Sequence, residues 1–222
     1  MALVRFPPVE LADQDGLLAL GGNLEVNTLK EAYSKGIFPW PISKDYPLAW
    51  FSPDPRGILS FKNLKIPKSL EKFRKKNVYH FKFNTQFKAV IEKCSDISNR
   101  TGQTASWITK DIKNAYTDLY KNNHAYSVEA YNLNNELVGG LYGVHFNGFI
   151  SGESMFYTAT NASKLCLIHL MEYLHSQGVE WIDTQTITPV VASLGGEMIP
   201  RKRFLQCLKK VFKEKKVLFG ES

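Results

Sequence analysis

The segment from Phe149 to Gln185 reads as a strand, a turn, a long helix and a second strand. Side chains alternate between the two faces of a strand, so every second residue of the last strand shares one face. The predicted set on that face is Val179, Trp181, Asp183, Gln185 and Ile187. Buried polar groups cost free energy unless they are satisfied, and a bound substrate can satisfy them. Asp183 and Gln185, with Glu153 of the first strand, are therefore candidate site residues; structural hydrogen-bond anchors are the alternative.

Three strands are predicted in a meander, over residues 125–131, 136–144 and 149–156. The Asn147-Gly148 pair between the last two strands is typical of a two-residue hairpin turn. Asn161 opens a helix that is apolar nearly all round, which indicates burial against the sheet. The remaining predicted elements are a strand over 78–83 and helices over 28–36 (capped by Thr28), 85–94, the residues after Trp107, and the C-terminal basic segment.

Residues 1–60 differ in composition from the rest of the chain, because they hold most of the ten prolines and two of the four tryptophans. Trp40 ends the motif Gly36-Ile-Phe-Pro-Trp40, in which proline stiffens the loop. Aromatic side chains in such loops either cover a core or form platforms on which bases stack. This difference in composition predicts a small loop-rich domain over residues 1–60 and a larger domain over residues 61–222.

Basic residues outnumber acidic ones, with 28 Lys and Arg against 21 Asp and Glu and a net charge of +7. They concentrate between Lys62 and Lys76 and again between Arg201 and Lys216. Such surfaces suit a polyanion, although solvated lysine-rich faces are common. Nucleic acid is therefore the partner class that the charge favours.

The sequence argues against disulfide bonds, a metal site, a nucleotide-binding loop and a membrane location. The cysteines at positions 94, 166 and 207 have no close spacing, which argues against a disulfide framework and for a reducing compartment. The five histidines are scattered, so no metal site is expected, and no Walker-type loop or dinucleotide fingerprint occurs. No apolar run approaches the roughly 20 residues that span a bilayer, and no charged-then-apolar leader opens the chain. A cytoplasmic protein with a cofactor-free site of Glu, Asp, Gln and aromatic residues is expected.

Short motifs over nearly the whole chain resemble, in order, those of the bacterial leucyl/phenylalanyl-tRNA-protein transferases. They are Asp15-Gly-Leu-Leu-Ala-Leu-Gly-Gly22, Gly36-Ile-Phe-Pro-Trp40, Ser52-Pro-Asp-Pro-Arg56, Trp107-Ile-Thr109, Leu137-Val-Gly-Gly-Leu-Tyr-Gly-Val144, Gly152-Glu-Ser-Met-Phe156, Asn161-Ala-Ser-Lys164, Ile182-Asp-Thr-Gln185 and Ala192-Ser-Leu-Gly195. The resemblance implies an α+β protein, with a small N-terminal domain followed by a GNAT-like acyltransferase domain whose mixed sheet is flanked by helices. It implies transfer of an aminoacyl group, typically Leu or Phe, from tRNA to the N-terminal Arg or Lys of a protein, which marks that protein for degradation.

The resemblance also assigns roles to particular residues. It implies that Asp183, Gln185 and Glu153 are catalytic and that Trp40 and Trp107 hold the terminal adenosine of the tRNA. An apolar pocket for the aminoacyl side chain is expected from a subset of four residues near the matched motifs: Met155, Phe156, Leu170 and Ile182. The expected partners are aminoacyl-tRNA and acceptor proteins, with no cofactor, no membrane and a monomeric state.

Three positions depart from the family pattern. Val190 follows the Thr188-Pro189 pair where His is common, Tyr126 replaces a His before Ser-Val-Glu, and Phe51 replaces the second of two tryptophans. These departures affect the expected amino-acid preference more than the reaction. The alternatives are the same reaction with altered specificity, a non-catalytic RNA-binding module, and a CoA-dependent acetyltransferase, whose glycine-containing loop is not found in this sequence.

The three candidate polar residues suit transfer from an activated ester. A terminal α-amino group has a pKa of about 8, so a neutral fraction exists near pH 7 and little general-base strength is needed. The amide of Gln185 is barely basic, but its oxygen can accept a hydrogen bond from the attacking amine while Asp183 orients it. Most of the acceleration is then expected from orientation and electrostatics.

Overall fold

The computed structural model describes residues 5–43, 46–96, 106–214 and 218–219. Within these ranges the strands are β1 Leu17–Leu20, β2 Phe38–Pro39, β3 Ala49–Phe51, β4 Arg56–Ser60, β5 Tyr79–Phe83, β6 Ala125–Asn132, β7 Leu137–Phe146, β8 Phe149–Tyr157, β9 Trp181–Gln185 and β10 Glu197–Ile199. The α-helices are α1 Val26–Ser34, α2 Lys68–Arg74, α3 Phe87–Ser95, α4 Lys110–Lys121, α5 Ala162–Ser176, α6 Pro189–Ser193 and α7 Arg201–Glu214. The predicted α+β class, a mixed sheet flanked by helices, is confirmed.

The larger sheet has the strand order β10-β4-β9-β8-β7-β6-β5. Its neighbouring strands run antiparallel except β8 and β9, which are parallel and in register at Ser151 and Asp183. The predicted meander is confirmed as β6, β7 and β8, and the turn at Asn147-Gly148 has positive φ at both residues, 48° and 91°. Helix α5 makes the crossover between β8 and β9, so the candidate acid of one strand is brought beside the acid and amide of the other.

Each face of the larger sheet is covered by its own helices. On one face, α1, α3, α4 and α7 enclose a cluster that includes Tyr33, Tyr116 and Phe204. On the other face, α5 buries its apolar surface against a cluster that includes Ile150 and Ile182. These two clusters are called the α4-side core and the α5-side core below.

The smaller sheet has the order β1-β3-β2 and packs onto the α4-side core through Trp50, whose Nε1 donates to the Gly21 carbonyl at 2.8 Å. The predicted domain division between residues 60 and 61 stays a prediction. The strand before that division, Arg56–Ser60, lies in the larger sheet between β9 and β10.

Two local predictions were wrong. Val179 and Ile187 pack in the α5-side core rather than on the face of Trp181, because one precedes β9 and the other follows Gln185, where φ is 57° and the strand ends. Thr28 is a buried residue in the first turn of α1 rather than its N-cap, which is Glu25.

The thiols of Cys94, Cys166 and Cys207 are not joined in disulfide bonds within the described residues. No helix among the described residues is both long and apolar enough to cross a membrane.

Candidate active site

Glu153, on β8, is the centre of a hydrogen-bond network on the α4-side face of the sheet. Its Oε1 accepts bonds from Ser151 Oγ at 2.5 Å, Tyr33 Oη at 2.9 Å and Gln185 Nε2 at 3.2 Å. Among the described residues, its Oε2 has one long contact, 3.4 Å from Tyr116 Oη. The two tyrosine hydroxyls lie 2.5 Å apart and bond to each other. One carboxylate oxygen is therefore saturated, while the other keeps capacity for a further donor.

The pKa of Glu153 is raised to about 7. Burial is the main cause; the charge of Asp183 adds to it, while hydrogen bonds from Ser151 and Tyr33 and the charge of Arg56 oppose it. Burial and the nearby Glu153 charge also raise the pKa of Tyr33 well above its usual value, so this phenol stays a neutral donor. Near neutral pH, Glu153 can thus either hold or accept a proton.

Asp183, on β9, is fully buried and engaged by Arg56, which is 1% exposed. Arg56 Nε lies 2.8 Å from Oδ1 of Asp183 and Nη2 lies 2.6 Å from Oδ2, a two-pronged ion pair. Oδ1 also accepts the backbone N–H of Gln185 at 2.9 Å. Asp183 therefore holds Gln185 by its backbone N–H.

Gln185 has a left-handed backbone, with φ of 57°, which is uncommon for a residue with a side chain. Such strain costs of order 1–3 kcal/mol and persists only where the surroundings hold it. Two hydrogen bonds hold it here: the one to Asp183, and the one in which the Thr186 N–H donates to the Thr184 carbonyl at 2.6 Å across Gln185. Because the side-chain Nε2 donates to Glu153, the amide oxygen is left as an acceptor.

Trp40 and Trp107, the two residues predicted to hold an adenosine, lie side by side. Their ring centroids are 4.8 Å apart and their planes differ by 14°, so the indoles stack on each other. Trp40 is 39% exposed. A base held between two rings needs a gap of roughly 7 Å, twice the van der Waals contact distance. The gap between the two rings is therefore too narrow for a base, which would need the outer face of the pair or a separation of the rings.

The four residues expected near an aminoacyl pocket are not brought to one place. Met155, Leu170 and Ile182 belong to the α5-side core, whereas Phe156 lies on the other face in the α4-side core. Consecutive residues of a strand point to opposite faces, which is why Met155 and Phe156 separate. Phe156 therefore cannot line the same pocket wall as the other three. An aminoacyl pocket lined by some of these residues stays a prediction.

The residues that depart from the family pattern lie near the network or in the cores around it. Tyr126 is fully buried, and its hydroxyl donates to the Ser151 carbonyl at 3.0 Å. Its ring passes over Gly143, where an added Cβ would lie 2.6 Å from the Tyr126 hydroxyl. Val190, in α6, packs against the α5-side core, and Phe51 stacks with Phe38.

Four members of the network were not predicted as site residues: Arg56, Tyr33, Tyr116 and Ser151. Arg56 gave the clearest signal, because it stands at the head of the apolar strand Arg56-Gly-Ile-Leu-Ser60 and ends a motif of the resemblance. Ser151 shares a strand face with Glu153 two residues later. The two tyrosines gave no signal, because they occupy apolar positions of α1 and α4 that also fit an ordinary core.

Two basic surfaces lie outside the network. The lysines of the 62–76 segment are exposed, and α7 carries exposed Lys202, Lys209 and Lys213 opposite buried Phe204 and Leu208. Lys216 lies outside the described residues.

The family models and the curated relatives that match this chain indicate one family. A family model described as leucyl/phenylalanyl-tRNA protein transferase matches residues 58–209, and its N-terminal domain model matches residues 22–54. Curated relatives called leucyl/phenylalanyl-tRNA–protein transferase include one from Pseudoalteromonas atlantica, 46% identical over 95% of this chain and 89% of that protein. Another, from Myxococcus xanthus, is 43% identical over 94% and 88%, and one from Christiangramia forsetii is 45% identical over 92% and 96%. Among solved structures, L-PGS from Bacillus licheniformis is similar at 14% identity and a TM-score of 0.41, over 67% of this chain and 45% of that chain.

Proposed function

The chain belongs to the leucyl/phenylalanyl-tRNA protein transferase family. We propose that it moves Leu or Phe from aminoacyl-tRNA to the N-terminal Arg or Lys of acceptor proteins, and Met is a further candidate for the transferred residue. It is an aminoacyltransferase that uses aminoacyl-tRNA as donor and a protein as acceptor. The new N-terminal residue would mark the acceptor for degradation. A monomer in the cytoplasm fits this role, and the wide spacing of the three cysteines favours a reducing compartment.

The observation that carries the proposal is the pairing of Gln185 with Glu153. The amide Nε2 of Gln185 donates to Glu153, so the amide oxygen is available to accept an N–H of the attacking α-amino group. Glu153, with a pKa of about 7, lies beside it as a proton acceptor. Asp183 then serves by holding the backbone of Gln185, since Arg56 occupies both of its oxygens.

The proposed reaction is aminolysis of an ester. The α-amino nitrogen attacks the ester carbonyl carbon, an amide bond forms, and the bond to the ribose oxygen of the tRNA breaks. The amine loses one proton, which Glu153 can accept, and the leaving ribose oxygen gains one. Orientation of the two substrates and fixed dipoles supply most of the acceleration.

A reaction assay tests the proposal. The protein is incubated with Leu-, Phe- or Met-tRNA and a peptide that begins with Arg or Lys. The matched controls are the same peptide with an acetylated N-terminus and one that begins with Asp. We expect transfer only to the free basic N-termini. Tight binding of the charged tRNA without transfer would instead favour a non-catalytic RNA-binding module.

The same transfer with an altered amino-acid preference is a second candidate, favoured by Tyr126 behind Ser151 and by Val190. An apolar pocket rejects charged side chains, because it would leave them unpaired, but separates Leu from Met by only ~1–3 kcal/mol. A panel of charged tRNAs that compete for one Arg-starting peptide distinguishes the candidates. Preferred transfer of a charged amino acid would rule out the apolar pocket while leaving the transferase activity in place.

A further inference from the structure

Arg56 occupies a site built to hold a guanidinium group. Its Nε and Nη2 donate to Asp183, and its Nη1 donates to the Gly36 carbonyl at 2.9 Å. Both faces of the group are covered, since its central carbon lies 4.6 Å from the ring centres of Phe38 and Phe204. The edge and the two faces are therefore all specified, which a lysine ammonium could not reproduce.

The contacts of Arg56 reach two parts of the site. Gly36 and Phe38 belong to the segment that leads through β2 to Trp40. Asp183 holds the backbone N–H of Gln185, whose φ is 57°. One buried side chain thus touches both the segment that carries the proposed adenosine platform and the carboxylate that holds the proposed catalytic amide.

Stability alone is a weak reason for such a pair. Burying two charges is expensive, and apolar replacements of similar volume are often neutral or stabilising. Orientation of the reacting groups is a stronger reason, because a misplacement of ~1 Å can lower a rate by about a hundredfold.

We propose that Arg56 is a positioning residue that fixes Gln185 relative to Trp40, so that the ester held by the adenosine site faces the attacking amine. This role rests on the proposed transferase function. It assigns to Arg56 no contact with either substrate.

The first test replaces the guanidinium group of Arg56 but keeps its positive charge. Arg56→Lys is expected to lower kcat about 10- to 100-fold, with KM for the acceptor peptide within about threefold of the wild-type value. Val138→Ala, in β7 and the α5-side core, is the control for a general loss of stability. A folded Arg56→Lys protein with wild-type kcat, or an equal loss of kcat in Val138→Ala, would overturn the proposal.

Chemical rescue makes the test specific to the guanidinium group. Guanidinium ion, added below the concentration at which the protein begins to unfold, is expected to raise the kcat of Arg56→Ala at least about tenfold, because it refills the site between Phe38 and Phe204. Methylammonium at the same ionic strength should not. No rescue, or equal rescue by both ions, would contradict the assignment. If neither Arg56 variant folds, Phe204→Leu takes their place, since it removes one face of the clamp; an unchanged kcat in that variant would also contradict it.

A measurement that does not depend on catalysis tests the role of Arg56 separately from the proposed transferase function. The backbone amide of Gln185 is expected to exchange with solvent at least tenfold faster in Arg56→Lys than in the wild type, because its acceptor, Asp183, is no longer held. Unchanged exchange would overturn the positioning role. A wild-type protein that transfers nothing would refute the proposed function, while faster exchange in the variant would still support the link from Arg56 to Gln185.

Discussion

At the scale of single residues, Glu153 is the group whose chemistry changes near neutral pH. Its pKa of about 7 results from burial, partly offset by donors such as Ser151. Asp183 is a different kind of acid, because an arginine neutralises it and the backbone of Gln185 takes a further bond. We therefore propose separate tasks for the two residues: Glu153 exchanges a proton, and Asp183 fixes the backbone of Gln185.

The pH dependence of transfer tests the role of Glu153. We expect kcat/KM in the wild type to rise through about pH 7, because the ionised carboxylate is the active form, and again near the amine pKa of about 8. Glu153→Gln should remove the lower transition and reduce the rate by about 10²- to 10⁴-fold. Ser151→Ala should move the lower transition to higher pH, since it removes a bond to the charged form. A lower transition that survives in Glu153→Gln would exclude Glu153 as its source.

The raised pKa of Glu153 also predicts a pH-dependent stability. A carboxyl group whose folded pKa lies above its unfolded value of 4.5 favours the folded state below that value, and this contribution is lost as pH rises through 7. Relative to the wild type, Glu153→Gln should gain unfolding free energy between pH 5 and pH 8, by no more than about 3 kcal/mol, because the residue keeps some exposure. Urea unfolding of both proteins across this range measures the difference. A difference that is constant with pH would count against a raised pKa.

At the scale of secondary-structure elements, the sequence predicted what depends on neighbours along the chain. The Asn147-Gly148 turn, the alternating strand β8 and the apolar helix α5 follow from local patterns, and all three occur. Arg56 and Asp183 are 127 residues apart, and Tyr33 and Glu153 are 120 apart. These pairings depend on which strands become neighbours, and no periodicity within one segment carries that information.

The Trp40–Trp107 pair joins β2 to the residues before α4, and its role can be separated from core packing. Stacking of a base on an aromatic ring contributes ~1–3 kcal/mol, so Trp107→Ala should raise the KM for charged tRNA about ten- to a hundredfold with a near-normal melting temperature. Trp50→Phe, in the buried core of the small sheet, is the control and should lower the melting temperature with an unchanged KM for tRNA. The reverse pattern would mean that Trp107 is a core residue.

At the scale of the whole molecule, the net charge is +7, and exposed lysines are concentrated on two surfaces, the 62–76 segment and α7. A surface that neutralises phosphates releases counterions, so affinity for tRNA should fall steeply as salt rises. Lys209→Gln in α7 should reduce the slope of log affinity against log salt by about 1, and Lys72→Gln in α2 should do the same. Lys88→Gln, on the exposed side of α3, is the control with an unchanged slope. A slope near zero in the wild type would remove both surfaces from the proposed contact with tRNA.

The mutual stacking of Trp40 and Trp107 gives the protein a built-in optical reporter. Two indoles with near-parallel planes and centroids 4.8 Å apart are expected to couple their intense far-ultraviolet transitions, which would add a paired band to the circular dichroism spectrum. An adenine that slides between the rings would abolish this band, whereas one that stacks on the outside would leave it in place. Titration with a short oligonucleotide ending in CCA therefore distinguishes insertion from external stacking without any label or substitution.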